Sequence, residues 1–427
     1  MLCGAMPTVQ FLDDVDAELN PLMTGSVAEF YIEPMLPHIG DIDVMCHLNT
    51  QLAVPRRHPP PTQLPAEFHN YVKVYEIIDS HLPGYVYLEL CYLLAEGTDD
   101  GSYNAAEYDG QRQCLGNQSY RFAGWTNIHG PAVTHATNGP GLSLDQVHCV
   151  RCLVWPPQAA DWPARPRNYG WPDSATLGRV VSNGCDVVGV AHRQCRQHEW
   201  MGELQHRLSF SRAEIALINS WMPVQQIVYH MLRYFMKTER LTECADNSGT
   251  LSNYHIKTLM LWACELKPKN WWTDDVNLVR ICVQLLYISG EWLTFGRYEH
   301  YFIKKCNLVD NSFNVTDIGG QLTSIDVTWL STWFVDNYVR KCLQLTPYRI
   351  SRLFDDVGTS TKLQNAVSAL VAWKQRDLIS DRLMLLNIEV FEIPMAVNAR
   401  SLTARSCVCW RTELAKFDAR LSVYFAP

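Results

Sequence analysis

Two aspartates stand one residue apart in Asp41-Ile42-Asp43, fifteen residues after a Gly25-Ser26 pair. Apolar residues surround them, so the pair is predicted on a strand, where residues i and i+2 share a face. Two carboxylates held side by side repel one another unless a cation joins them. Mg²⁺ or Mn²⁺ shared between such carboxylates and substrate phosphates is the usual arrangement. A pair of ions about 3.5–4 Å apart then activates an attacking hydroxyl and stabilises a leaving pyrophosphate. The Gly-Ser turn upstream lets backbone N–H groups and a hydroxyl approach phosphate oxygens closely. The plainer alternative is an acidic strand edge facing water.

The elements that must position these groups change character along the chain. Residues 9–22 have apolar positions at helical spacing and are predicted as a helix broken by Thr24-Gly25-Ser26. Residues 41–48, 71–78, 84–94, 130–134 and 144–154 are rich in β-branched and aromatic side chains and read as strands of one sheet, with a Pro-rich connection at 55–65. Helical periodicity takes over at 211–221, 224–237, 253–266 and 274–293, with Ser211 and Asn253 as caps. Further helices are expected at 326–345 and 362–375. The predicted fold class is α/β. A sheet lobe spans 1–198, a helical lobe 199–315 completes a cleft, and a helical C-terminal extension covers 316–427.

Longer motifs give the acidic pair a context. Thr24-Gly25-Ser26-Val27-Ala28-Glu29 together with Gly40-Asp41-Ile42-Asp43-Val44-Met45 closely resembles the signature of the cyclic GMP-AMP synthase-like receptors and their male-abnormal domain relatives. Asp145-Gln146-Val147, followed by Cys152 and Trp155-Pro156, resembles the segment in which that family carries its third acid; Asp186 is the rival for that place. Arg207-Leu208-Ser209-Phe210-Ser211, with Glu214, and Ser252-Asn253-Tyr254-His255-Ile256-Lys257 resemble two further segments, and Tyr301-Phe302-Ile303 through Asn307-Leu308 resembles a closing one. The motifs fall in the family's order from about residue 9 to Leu308.

The resemblance implies a bilobal nucleotidyltransferase. Asp41, Asp43 and Asp145 would be its catalytic and metal-binding acids for Mg²⁺ or Mn²⁺, and Gly25 and Ser26 its triphosphate cradle. Arg207, Ser209, Ser211, Glu214, Asn253 and Tyr254 would contact nucleotide, while Arg233 and Lys257 would neutralise phosphate charge. Arg207 as a salt-bridge partner between lobes and Tyr254 as a core aromatic stay open. The implied activity joins ATP and GTP into a cyclic dinucleotide second messenger, in a ligand-activated innate immune sensor; double-stranded RNA or another nucleic acid is a candidate trigger, but no basic run marks a groove for it and the trigger stays open. The alternatives are a catalytically silent scaffold or developmental protein of the male-abnormal group and a synthase of linear oligonucleotides.

Composition limits the remaining choices. The 427 residues are 47% hydrophobic and 19% charged, enough for at least one large core. No stretch approaches the roughly 20 apolar residues of a membrane helix, and the first residues lack a secretory pattern, so no membrane partner and a cytoplasmic location are expected. Fifteen scattered cysteines read as reduced thiols rather than a disulfide framework. A net charge of −8 gives no support to polyanion binding by the molecule as a whole. Cys185, His192, Cys195 and His198 have a spacing that could hold zinc. Arg56-Arg57 and Arg165 to Arg167 read as solvated loop charges.

Overall fold

The computed structural model describes residues 17–29, 42–97, 101–117, 128–129, 131–136, 143–197, 199–239, 251–273, 278–309 and 315–339. Their strands are β1 (Leu19–Thr24), β2 (Ile42–Pro55), β3 (Tyr71–Asp79), β4 (Tyr85–Glu96), β5 (Tyr103–Glu107), β6 (Ile128–His129), β7 (Ala132–Ala136), β8 (Ser143–Cys152), β9 (Cys185–Val188) and β10 (His206–Ser209). All ten join one mixed sheet in the order β1-β2-β3-β4-β10-β9-β8-β7-β6, with β5 paired to β4. A further β2–β8 pairing links two members of that path, so β2, β3, β4, β10, β9 and β8 form a closed ring of hydrogen-bonded neighbours.

β2 makes this closure possible because it is long. Its first half pairs antiparallel with β1 and its second half parallel with β3, while β8 runs parallel along its other edge with a register shift between His47 and Leu52. A strand with neighbours on both edges and cover on both faces loses its alternation, and nearly every residue from Val44 to Pro55 is buried, including His47, Asn49, Thr50 and Gln51.

The helix predicted over 9–22 is corrected where it can be seen. Leu19 to Thr24 is the edge strand β1, with Pro21 opposite Cys46. Proline breaks a helix interior but is tolerated at a sheet edge, where its missing N–H costs no ladder bond. The predicted strands at 41–48 and 84–94 are longer than their sequence signals, and β5 and β10 carried no signal strong enough to read.

The helices used below are α1 (Gly25–Glu29), α2 (Ser174–Ser182), α3 (Ser211–Ile218), α4 (Pro223–Thr238), α5 (Asn253–Leu266), α6 (Leu278–Thr294), α7 (Val315–Thr323) and α8 (Val327–Phe334). The sheet continues past residue 198 through β10, so the helical region begins after Ser209. The expected caps shift by one residue: Phe210 precedes α3, and Ser252, which receives and returns bonds with His255, caps α5. Residues 340–427, with the helix expected at 362–375 and the end of that expected at 326–345, lie outside the described residues.

One core joins sheet and helices. It runs from Val86, Leu88, Val150 and Leu208 on the strands to Phe235, Leu259, Leu285 and Phe334 on the helices. Trp155 sits at the junction, its ring against Trp162, Phe210 and Phe302, and Phe210 stacks on Phe302 with centroids 4.6 Å apart. Beside it Glu265 is buried between Arg165 and Arg167 and accepts from Tyr301 Oη at 2.7 Å. The reading of Arg165 and Arg167 as solvated charges is therefore corrected, because a carboxylate at the far end of α5 draws both inward. Arg56 remains exposed, at the edge of an ion pair with Glu76.

Candidate functional site

The Gly25 turn and the start of β2 are built against each other. Thr24 and Asp43 are register partners, and Thr24 Oγ1 donates to the Asp43 carbonyl at 3.3 Å. Gly25 adopts φ +64°, and a Cβ there would lie 1.9 Å from Asp43 Oδ2. Glycine is required twice over, for the left-handed backbone and for the space the carboxylate fills. Ser26 lies in α1; its side chain and Asp41 are outside the described residues.

Asp145 of β8 is the register partner of Asp43 across the parallel pair. In-register neighbours lie about 4.8 Å apart and share a face, so two carboxylates stand together there. An all-oxygen donor set of this kind suits a hard divalent cation such as Mg²⁺ or Mn²⁺. Among the described residues no group of three or more His, Cys, Asp or Glu side chains comes together as a metal site.

Asp186, the rival acid, is placed differently. It is fully buried on β9, opposite Arg151 on β8 and Ser209 on β10; Arg212 Nε donates to its Oδ2 at 3.0 Å, and Arg151 Nη1 lies 3.9 Å from Oδ1. Its charge fastens the first turn of α3 to the sheet. Of the proposed zinc ligands, Cys185 is buried and hydrogen-bonded to Cys152, its cross-strand partner. His192 accepts from the Gln194 backbone and meets Tyr85 edge-on, Cys195 is buried, and His198 lies outside the described residues.

Above the Gly25 turn sits a buried charge cluster. Lys257 on α5 ion-pairs with Glu29 at the end of α1 and with Glu214 on α3, the latter at 2.8 Å, and Tyr229 Oη on α4 donates to Glu29 Oε2 at 3.0 Å. Burial works against the lysine charge, but Glu214 and Glu29 raise its pKa well above the ordinary value. Lys257 and Glu214, both expected at the nucleotide, are paired with each other in this cluster.

Arg233 extends from α4 over the Tyr229 ring, 5.5 Å from its centroid. Burial opposes its charge, while Tyr229, Glu29 and Asp43 raise its pKa, which places the guanidinium within the field of the acidic strand. Its buried Nε finds no acceptor among the described residues.

Arg207, Tyr254 and His300 lie near one another. Arg207 is exposed on β10, and no ion pair holds it among the described residues. Tyr254, half-buried in the first turn of α5, has its hydroxyl 2.9 Å from His300 Nε2 and its ring 5.9 Å from Lys257 Nζ. Burial and then Glu214 push its pKa well up. Burial and then Arg207 lower that of His300 to about 3. Ser209 and Ser211 hydroxyls are 3.1 Å apart, with Ser209 Oγ beside Met45 of β2, and Asn253 is exposed next to Tyr254.

Sequence reasoning did not assign Glu29, Tyr229 or His300. Glu29 was within reach, since it ends the Thr24–Glu29 motif and a buried lysine motif elsewhere needs a carboxylate. His300 carried no signal.

Comparison with known proteins agrees with this architecture. Residues 101–220 match the Mab-21 protein nucleotidyltransferase domain, and residues 224–319 match the Mab-21 protein HhH/H2TH-like domain. The chain belongs to the Mab-21 family, whose two consecutive domains cover about half of it. It is 25% identical over 182 residues to protein mab-21-like 3 of Danio rerio, covering 41% of this chain and 42% of the relative. It is also 25% identical over 174 residues to protein male abnormal 21 of Caenorhabditis briggsae, covering 38% and 45%. The matches thus span less than half the length of each relative. Among the described residues no helix is long and apolar enough to cross a membrane.

Proposed function

We propose that this protein is a metal-dependent nucleotidyltransferase that joins ATP and GTP into a cyclic dinucleotide as a ligand-activated immune sensor. The observation that carries this reading is the in-register pair Asp43 and Asp145, set against a turn that only Gly25 can make. With Asp41, these carboxylates would hold Mg²⁺ or Mn²⁺, which when bound neutralises phosphate charge and acidifies an attacking hydroxyl. The active site would occupy a cleft between a sheet lobe and a helical lobe.

The protein's own groups then have defined tasks. Backbone N–H groups of the Gly25-Ser26 turn receive triphosphate oxygens, and Arg233, within the field of Asp43, adds a fixed positive charge. Arg207 and Tyr254 hold a base, with Ser209, Ser211 and Asn253 close by. Positioning brings a ribose hydroxyl in line with the α-phosphorus, pyrophosphate leaves, and a second attack in the same site closes the ring.

One observation favours a second reading, a silent scaffold. Lys257, expected at a phosphate, is already neutralised by Glu29 and Glu214. The test is to incubate the protein with labelled ATP and GTP, Mg²⁺ or Mn²⁺, and double-stranded RNA or DNA, beside an Asp43→Asn/Asp145→Asn variant. A phosphatase-resistant product lost in the variant is expected. Phosphatase-sensitive oligomers would instead indicate a linear product, and no product with no nucleotide-dependent rise in melting temperature would favour the scaffold.

A further inference from the structure

The hydrogen bonds around His300 fix which of its nitrogens carries the proton. His300 Nδ1 accepts from two backbone groups, Phe302 N–H and Ile303 N–H, each at 3.0 Å. A nitrogen accepting in this way is bare, so in the neutral ring the proton resides on Nε2. Nε2 lies 2.9 Å from Tyr254 Oη and therefore donates to it. The Tyr254 oxygen is thus an acceptor from His300, and its own hydrogen must point elsewhere. Among the described residues that hydrogen has no acceptor, although Tyr254 is only half-buried and within the field of the exposed Arg207.

We propose that His300 is a positioning residue that makes the Tyr254 hydroxyl an obligate donor to a hydrogen-bond acceptor on the bound nucleotide. This rests on the nucleotidyltransferase reading above and adds a selectivity device to it. A phenol hydrogen lies in the plane of its ring, so its acceptor sits beyond the ring edge rather than on a base stacked over the face. That acceptor is an oxygen or ring nitrogen of the base, or a phosphate oxygen. A partner offering only a donor at that place would leave two hydrogens facing each other, and the site would reject it.

Burial and the nearby Arg207 keep His300 neutral through the physiological range, and burial keeps Tyr254 protonated, so the arrangement persists across working pH. Glu214 and Lys257 also lie near Tyr254, but among the described residues they bond each other and not its hydroxyl.

The first arm of the test needs no nucleotide. In protein labelled with ¹⁵N-histidine, His300 is expected as the Nε2–H tautomer; an Nδ1–H signal would overturn the inference and leave the proposed activity untouched. The second arm measures affinities of the wild type, Tyr254→Phe, His300→Leu and the double variant at a temperature where all are folded. The probes are ATP, GTP, CTP, UTP and inorganic tripolyphosphate.

Tyr254→Phe keeps the ring and should lower affinity roughly 3- to 10-fold, the effect of one lost neutral hydrogen bond. Loss confined to some nucleotides places the acceptor on the base, and equal loss including tripolyphosphate places it on the phosphates. His300→Leu should weaken the same probes, and the double variant should be no worse than Tyr254→Phe. Unchanged affinity for every probe in Tyr254→Phe, or losses that simply add, would overturn the inference. A wild type that binds none of the probes would remove the nucleotidyltransferase reading and this inference with it.

Discussion

At the scale of single residues, the most consequential side chain outside the acidic pair is Lys257. It is one ammonium between two buried carboxylates, Glu29 and Glu214, and each of the three comes from a different helix. Removing the lysine leaves both buried carboxylates without their shared cation, whereas removing it together with one carboxylate leaves only one such charge. Lys257→Met is therefore expected to destabilise the fold by about 3–5 kcal/mol. Denaturant titration of the singles and of Glu29→Gln/Lys257→Met should show a double-variant loss well below the sum; additive losses would mean that the pair contributes nothing jointly. The motif resemblance marked Lys257 and Glu214 from sequence but not their pairing, because a charge's partner is set by tertiary placement and not by spacing along the chain. The Asp43–Asp145 pairing was foreseeable only through that resemblance, since 102 positions separate the two and periodicity carries no information over such a distance.

At the scale of elements, β8 and β9 separate two aspartates into different occupations. Asp145 is partly exposed beside Asp43, while Asp186 is fully buried among Arg151 and Arg212. Asp186→Asn should cost about 3 kcal/mol or more by leaving two arginines short of a counter-charge. Asp145→Asn should change stability by less than about 1 kcal/mol and, on the proposed function, abolish nucleotidyl transfer. Thermal melts and product analysis on both variants test the assignment; the reverse pattern would make Asp186 the third acid. Helices with strong periodicity, such as α4 and α5, were legible in the sequence to within a residue or two. β1 was misread because six residues with leucines at positions 19 and 22 satisfy helical spacing, and only Pro21 argued otherwise. β10 was missed because four residues are too few to show alternation, and its place is set by β4 and β9 on either side.

At the scale of the whole molecule, the continuous core that binds sheet to helices has swallowed an unusual set of histidines. His47, His206, His230 and His255 are buried with pKa values lowered to about 4, and His300 to about 3, in every case with desolvation as the largest cause. In the unfolded chain each returns to about 6.5. Above that pH both states are neutral and these groups leave stability unaffected by pH. Between about 6.5 and 4 the unfolded chain binds protons that the folded one refuses, so stability falls as pH falls. Each such histidine contributes a slope approaching roughly 1.4 kcal/mol per pH unit below its unfolded pKa. Five acting together should make unfolding strongly favourable well before the carboxylates titrate. Melting temperature is thus expected to hold nearly level from pH 8 to 7 and to drop steeply from pH 6.5 to 5. Replacing His230 by Gln should make that drop measurably shallower. A melting temperature that stays flat to pH 5 would mean that these side chains are protonated in the folded protein, and that the core is wetter than the packing around Phe235 and Leu259 implies.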